Sequence, residues 1–180
     1  PESYLLQEYF ARMVEAGLDV VVMEVSSQAL MLHRTQGFVF DFGIFTNLEP
    51  DHIGPDEHKD LEDYIHCKSL LFKQCRHGIF NHDASHLNEI LPGHTCDVST
   101  YGLDPDADIA ATDIELINRP GKYLGVSFNT AGEITDSFTI PNPGIFSVYN
   151  ALCAISICRA LGVPADVMKS GLEITHIKGR

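Results

Sequence analysis

The sequence predicts an α/β fold, a mostly parallel sheet flanked by helices with a small additional antiparallel sheet. Three observations carry this. Two continuous apolar runs, DVVVMEV at residues 19–25 and FVFDFGIFTN at 38–47, have the composition of strands buried on both faces. A helical stretch between them makes a βαβ unit. Residues 108–140 then alternate apolar and polar between turn signals, the pattern of an antiparallel meander.

The elements follow in order. Leu5, Leu6, Tyr9, Phe10, Met13 and Val14 recur at three- and four-residue spacings, so residues 2–16 read as an amphipathic helix ended by Gly17. The run at 19–25 is the first expected strand, with Glu24 near its end. Ser26 and Ser27 suit the cap of a helix over QALMLHR, and the second strand ends near Thr46. The loop EPDHIGPDEH, rich in Pro, Gly and acid, leads to a helix at 61–72. A short strand at 78–82, a helix at 84–91 and a strand at 96–101 come next. Arg119-Pro120-Gly121 and Ala131-Gly132 punctuate the meander. After Pro141, Pro143 and Gly144, an Ala-rich helix runs over 145–161, and another starts at Pro164. No repeat, low-complexity tract or clear linker interrupts the 180 residues, so one domain over 1–180 is expected.

Composition excludes several classes of function. Twelve Lys and Arg against 25 Asp and Glu leave a formal net charge of −13, which argues against a nucleic-acid partner. No run approaches the ~18 apolar residues of a membrane span, and the opening PESYLLQEYF lacks the order of a signal peptide. Five scattered cysteines without a CxxC fit neither a disulfide framework nor a zinc ribbon. A reducing cytoplasm is the expected location.

Ligands of open parallel sheets collect at the carboxyl ends of strands. Glu24 falls at one such end, and Asn47, Asp51 and His52 lie just past the next. If the strands are neighbours, a carboxylate and an imidazole approach each other there, a metal or acid–base site in outline. The plainer alternative has Glu24 capping a helix and His52 shaping a loop. Lys68 falls on the same helical face as Tyr64, Ile65 and Phe72, where an apolar residue belongs. Its stem could simply lie along apolar surface. Alternatively, burial favours the neutral amine, able to capture carbon dioxide as a carbamate whose oxygens suit Mg²⁺. His52 would add a less usual nitrogen ligand. Lys68-Ser69 lacks the glycines of a phosphate-binding loop. Asn150, one turn into the late helix, could meet a purine or merely compete for backbone bonds. Arg34 could hold an anion or complement a helix end.

Taken together, MEVSSQAL (23–30), FTNLEPDHI (45–53), YIHCKSLLF (64–72), FSVYNALCAI (146–155) and the final Gly179-Arg180 resemble, in order and spacing, the central domain of the Mur ligases, most of all the MurE type. The resemblance covers essentially the whole chain. It implies an ATP-dependent ligase of peptidoglycan precursor synthesis that phosphorylates the carboxylate of a UDP-muramoyl peptide and lets an amino acid attack the acyl phosphate. It implies ATP and Mg²⁺ as cofactors. Glu24, His52 and Lys68 match metal-binding positions, with Lys68 matching a lysine carbamoylated in many members. Ser26 and Arg34 match contacts to the UDP-muramoyl peptide. Asn150 matches an asparagine beside adenine, and Arg180 an arginine near the nucleotide.

Gln28, Ser147 and the stretch IGPDEH depart from that pattern. The resemblance also implies that a P-loop lies upstream and an amino-acid-selecting domain downstream, so this is expected to be a piece of an enzyme, inactive alone. Two rivals stay open: another ligase of the superfamily, such as a folylpolyglutamate-synthetase-like enzyme, and a metal-dependent hydrolase. The hydrolase needs more histidine or aspartate ligands, and the remaining histidines, His58 among them, show no such placement in the sequence. A catalytically silent scaffold is a third reading.

Overall fold

The computed structural model describes residues 1–49, 53–55, 57–119 and 123–175, with the backbone alone at Arg119 and Tyr123. They fall into two compact units. The first comprises Pro1–Gly43, Leu48–Arg76 and Asn88–Cys96, and the second Ile44–Asn47, His77–Leu87 and the chain from Asp97 onward. Six strands form one sheet in chain order: β1 (Phe40–Phe45), β2 (Cys75–Asn81), β3 (Asp97–Gly102), β4 (Ile109–Arg119), β5 (Tyr123–Gly132) and β6 (Ser137–Ile140). β2–β3 and β3–β4 pair parallel, while β4–β5 and β5–β6 pair antiparallel. The α/β class and the antiparallel meander read from the sequence are both present.

In the first unit, α1 (Ser3–Glu15) buries Leu6, and Phe10 meets Phe38 edge-on at 4.8 Å. Other members of the predicted stripe, Tyr9 and Val14, are exposed. Helix α2 (Ser27–Met31) packs against α3 (Leu61–Ser69), which continues into a 3₁₀ turn, Leu70–Lys73; α4 (Leu87–Ile90) is a single turn. Helix α3 forms for legible reasons. Asp60 caps it by accepting from Asp63 N at 2.8 Å, acids occupy its first turn and His66 and Lys68 its last, as the helix dipole favours. Tyr64 and Cys67, and Phe72 just beyond, supply its buried side.

The expected strand at 19–25 is not there. Residues 20–26 adopt no regular structure, and Val22 is 90% exposed. A run of valines makes a strand only where a second strand completes its ladder, and none does so among the described residues. The βαβ unit expected from that run therefore does not form among the described residues.

In the second unit, α5 (Ile145–Ala160) buries Val148, Ala151, Leu152 and Ile155, spacings of three and four that draw one apolar stripe. That stripe packs on β3 and β4, on the sheet side where Tyr101, Phe128 and Phe138 are buried. Each such side chain contributes roughly 1.5–3 kcal/mol by leaving water. Gly162, at φ +73°, supplies the left-handed residue just past the helix end. Pro164 then precedes α6 (Ala165–Glu173), which rests on β6.

β3 and β4 are parallel yet joined by only residues 103–108, far shorter than the usual crossover of a dozen or more residues. They pair through Tyr101 with Ile109 and Gly102 with Ala110 alone. Side chains close the turn where a long ladder cannot. Asp83 accepts from Leu103 N and Asp104 N at 2.5 and 3.2 Å, and Asp108 accepts from Thr100 N and Thr100 Oγ1 at 2.7 and 2.9 Å.

Candidate functional site

Four of the predicted residues lie in the first unit. Glu24 is exposed, in the irregular segment before α2. Ser26 is the N-cap of α2, its hydroxyl accepting from Ala29 N at 3.1 Å. Arg34 reaches Glu2 at 3.3 Å, and its buried Nε has no hydrogen-bond partner among the described residues. Lys68 is half-buried on α3, its Nζ 5.6 Å from the centre of the Tyr64 ring, within cation–π range. Asn150 is exposed on α5 in the second unit. His52 and Arg180 lie outside the described residues. A cleft of about 370 Å³ lined in part by Leu30, His33, Phe38 and Gln74 holds none of the predicted residues.

Sequence reasoning passed over His58, and the structure puts it at the centre of the first unit. The imidazole is fully buried, 0% exposed. Its Nε2 lies 2.8 Å from Ser27 Oγ and its Nδ1 3.1 Å from Asp63 Oδ2. The ring stacks on Tyr64 with centroids 4.9 Å apart and planes 23° apart. An ionised carboxylate can only accept, so Nδ1–H donates to Asp63, and in the neutral ring Nε2 accepts a hydrogen bond from the Ser27 hydroxyl. Ser27, expected as a helix cap, is instead 4% exposed and turned to this histidine. The one signal in the sequence was the spacing, a histidine five residues before an acid in the first turn of a strongly capped helix.

Serine, histidine and aspartate in this connectivity invite comparison with a nucleophilic triad. Burial decides against it: a hydroxyl this enclosed cannot meet a substrate carbonyl. His58, Asp63 and Cys67 also place ligand atoms within 4.8 Å of one another. Burial, then Asp63, push the Cys67 thiol up, so it is a poor resident thiolate, and both imidazole nitrogens have partners. The arrangement is best described as a buried hydrogen-bond network between α2 and α3.

The hydrogen bond from His58 holds the Asp63 carboxyl below the usual carboxylate range, against a smaller opposing effect of desolvation. A depressed carboxyl contributes stability that is present above its unfolded value, near 3.9, and is lost as pH falls through the folded value. Urea midpoints are therefore expected to fall below about pH 4, and Asp63→Asn to flatten that fall while lowering the midpoint at neutral pH. An unchanged acid slope in the variant would remove this carboxyl from the account.

A second network lies at the carboxyl ends of β2 and β3. Asn81 donates to Thr46 O at 2.9 Å and accepts from Asp83 N at 3.1 Å. Asp83 also accepts from Tyr149 Oη at 2.9 Å, next to Asn150 on α5. Burial first, then this bond, push the Tyr149 phenol up to about 12. His82, Asp83 and Asp104 group their ligand atoms at the same end of the sheet, but Asp83 is already engaged by two backbone N–H groups and a phenol.

The model of the Mur ligase middle domain matches residues 1–158. The UDP-N-acetylmuramoyl-L-alanyl-D-glutamate–2,6-diaminopimelate ligase of Clostridioides difficile (strain 630) is 41% identical over 189 residues, covering 100% of this chain and 37% of that protein. The UDP-N-acetylmuramyl-tripeptide synthetase of Lactococcus lactis subsp. cremoris (strain MG1363) is 36% identical over 183 residues, covering 100% and 36%. The chain thus spans a little over a third of the length of these curated relatives. A solved UDP-N-acetylmuramoyl-L-alanyl-D-glutamate–2,6-diaminopimelate ligase shares the fold at a TM-score of 0.87 and 21% identity, over 100% of this chain and 37% of that one. The MurF ligase of Thermotoga maritima in complex with ADP does so at 0.64 and 12%, over 86% and 34%.

Proposed function

Since the chain belongs to the Mur ligase family, we propose that it is the central, ATP-handling part of a ligase that adds an amino acid to a UDP-N-acetylmuramoyl dipeptide during peptidoglycan precursor synthesis in the cytoplasm. The observation that carries this is 41% identity, along the whole chain, to a protein named for that reaction. The named relatives include a diaminopimelate ligase and a tripeptide synthetase, so the added amino acid stays open.

In this reading, Glu24, His52 and a carbamate on Lys68 hold Mg²⁺, a donor set of mostly hard oxygens that suits the ion. Bound Mg²⁺ would neutralise charge on the transferring phosphoryl group. Accessible Glu24 and half-buried Lys68 fit this role on exposure, and they precede and sit on two helices, α2 and α3, that pack together. Ser26 and Arg34 orient the UDP-muramoyl peptide, whose phosphates call for a cation. Asn150 and Arg180 meet the nucleotide. Small molecules, and the remaining domains of the same polypeptide, are the partners; the formal net charge of −13 gives nucleic acid no footing.

The test replaces the corresponding segment of the Clostridioides difficile ligase with this chain. The chimera is expected to form amide from ATP, UDP-muramoyl dipeptide and diaminopimelate or lysine, with one phosphate released per bond. The 180-residue chain alone is expected to stay at background. A folded chimera that forms no amide, with either amino acid, would overturn the reading.

A further inference from the structure

We propose that His58 is a positioning residue for this chemistry, holding in register α3, which carries Lys68, and α2, into which the segment bearing Glu24 leads. The inference rests on the ligase reading above and deepens it. At 0% exposure the imidazole cannot touch substrate, so whatever it does passes through its neighbours. It has three. Nε2 holds Ser27, the first residue of α2, one residue past Ser26 and three past Glu24. Nδ1 holds Asp63 in the first turn of α3, five residues before Lys68. The ring face lies against Tyr64, and the Tyr64 ring lies beneath the Lys68 ammonium.

The backbone of the same residue closes its own loop. Gly54 N donates to His58 O at 3.1 Å, and Ile53 bridges to His58. Ile53 follows His52 in the chain. Through its side chain His58 thus ties the first residue of α2 to the first turn of α3, and through its backbone it closes the loop between them. Both nitrogens are satisfied, and in a low-dielectric interior such a network has one favoured arrangement rather than several. An apolar residue would fill the same space without fixing the angle at which α2 meets α3. A carboxylate and a lysine meant to share one ion need that angle held, because small displacements of a reacting constellation cost large factors in rate.

The experiment uses the active chimera. Ser27→Ala and His58→Gln are each expected to lower kcat about 10- to 100-fold, as loss of outer-shell partners commonly does. KM for ATP and for the UDP-muramoyl dipeptide should move by no more than about twofold, because a lost positioning contact acts on the reacting geometry rather than on ground-state binding. Ser27→Thr, which keeps the hydroxyl, should restore most of the rate. The double variant should be no slower than His58→Gln, since both changes break one link. Rates within about twofold of the parent in both single variants, or losses that multiply in the double variant, would overturn the proposal. If His58→Gln fails to fold, the Ser27 pair decides alone: equal rates for Ala and Thr would sink it.

If the parent chimera forms no amide, the ligase reading fails by itself, and the arrangement is tested in the 180-residue chain. There the Nδ1–H signal of His58 should persist in proton–nitrogen spectra at neutral pH and be lost in Asp63→Asn. Its absence in the parent would overturn the network and the proposal with it.

Discussion

Gly132→Ala is expected to destabilise the chain by roughly 3–5 kcal/mol, about a third or more of the stability of an ordinary domain. Gly132 ends β5 opposite Ile109, at φ +95°. A side chain at that φ is strained wherever it stands, at about 1–3 kcal/mol. Here it would also collide: a Cβ would lie 2.1 Å from Asp108 O. That carbonyl accepts from Glu133 N at 2.8 Å, so moving it breaks a bond as well.

Asp108 cannot easily retreat. Its carboxylate accepts from Thr100 N and Thr100 Oγ1, and its own N donates to Thr100 Oγ1 at 3.0 Å. Those bonds hold the short β3–β4 connection, so the clash passes straight into β4, which pairs parallel on one side and antiparallel on the other. Urea unfolding should show a lower midpoint with an unchanged slope, the mark of lost stability rather than an altered unfolded state. A loss below about 1 kcal/mol would mean that the turn can reshape, and that the pinning by Thr100 is weaker than its distances imply.

The sequence made some of this legible and hid the rest, for physical reasons that differ by residue. The α5 stripe and the caps of α3 are local: Val148, Ala151, Leu152 and Ile155 declare their face by spacing, and Asp60 needs only Asp63 N three residues on. The meander was equally open to view in the alternation over 108–140, although of its expected turns Pro120-Gly121 lies outside the described residues and Ala131-Gly132 close β5. The valines at 20–22 misled because a strand is a property of pairs, and composition says nothing about the partner. His58 was hidden for the same reason. Its partners stand 31 residues before it and five after, and one of them had been assigned to a helix cap. Asp83 was equally silent: its bonds reach 20, 21 and 66 residues along the chain. Of the candidate site, residue types and helix assignment were readable at Ser26, Lys68 and Asn150, whereas the network that fixes their surroundings was not.

Asp83→Ala is expected to cost about 3 kcal/mol, for a reason opposite to that of Gly132: atoms are removed rather than added. The carboxylate is the shared acceptor for Leu103 N, Asp104 N and Tyr149 Oη, and it lies so near Gly102 that a Cβ there would come within 2.8 Å of Oδ2. Hydrogen bonds to a charged acceptor are worth about 1.5–3 kcal/mol each, reduced here because the side chain is 21% exposed and water can replace part of the loss. Asp83→Asn should recover little, since its amide would point N–H groups at N–H groups on at least one side.

The phenol gives an independent readout. A donor bond to a carboxylate stabilises protonated Tyr149, so its removal should bring that titration down from about 12 while burial, the larger cause, keeps it above the usual value near 10. Residue-resolved titration by NMR would show it. A Tyr149 titration unmoved by Asp83→Ala would separate the aspartate from α5. If it does move, the same bond sets how the first turns of α5 are presented at the carboxyl ends of β2 and β3, and Asn150, the next residue, is presented with them.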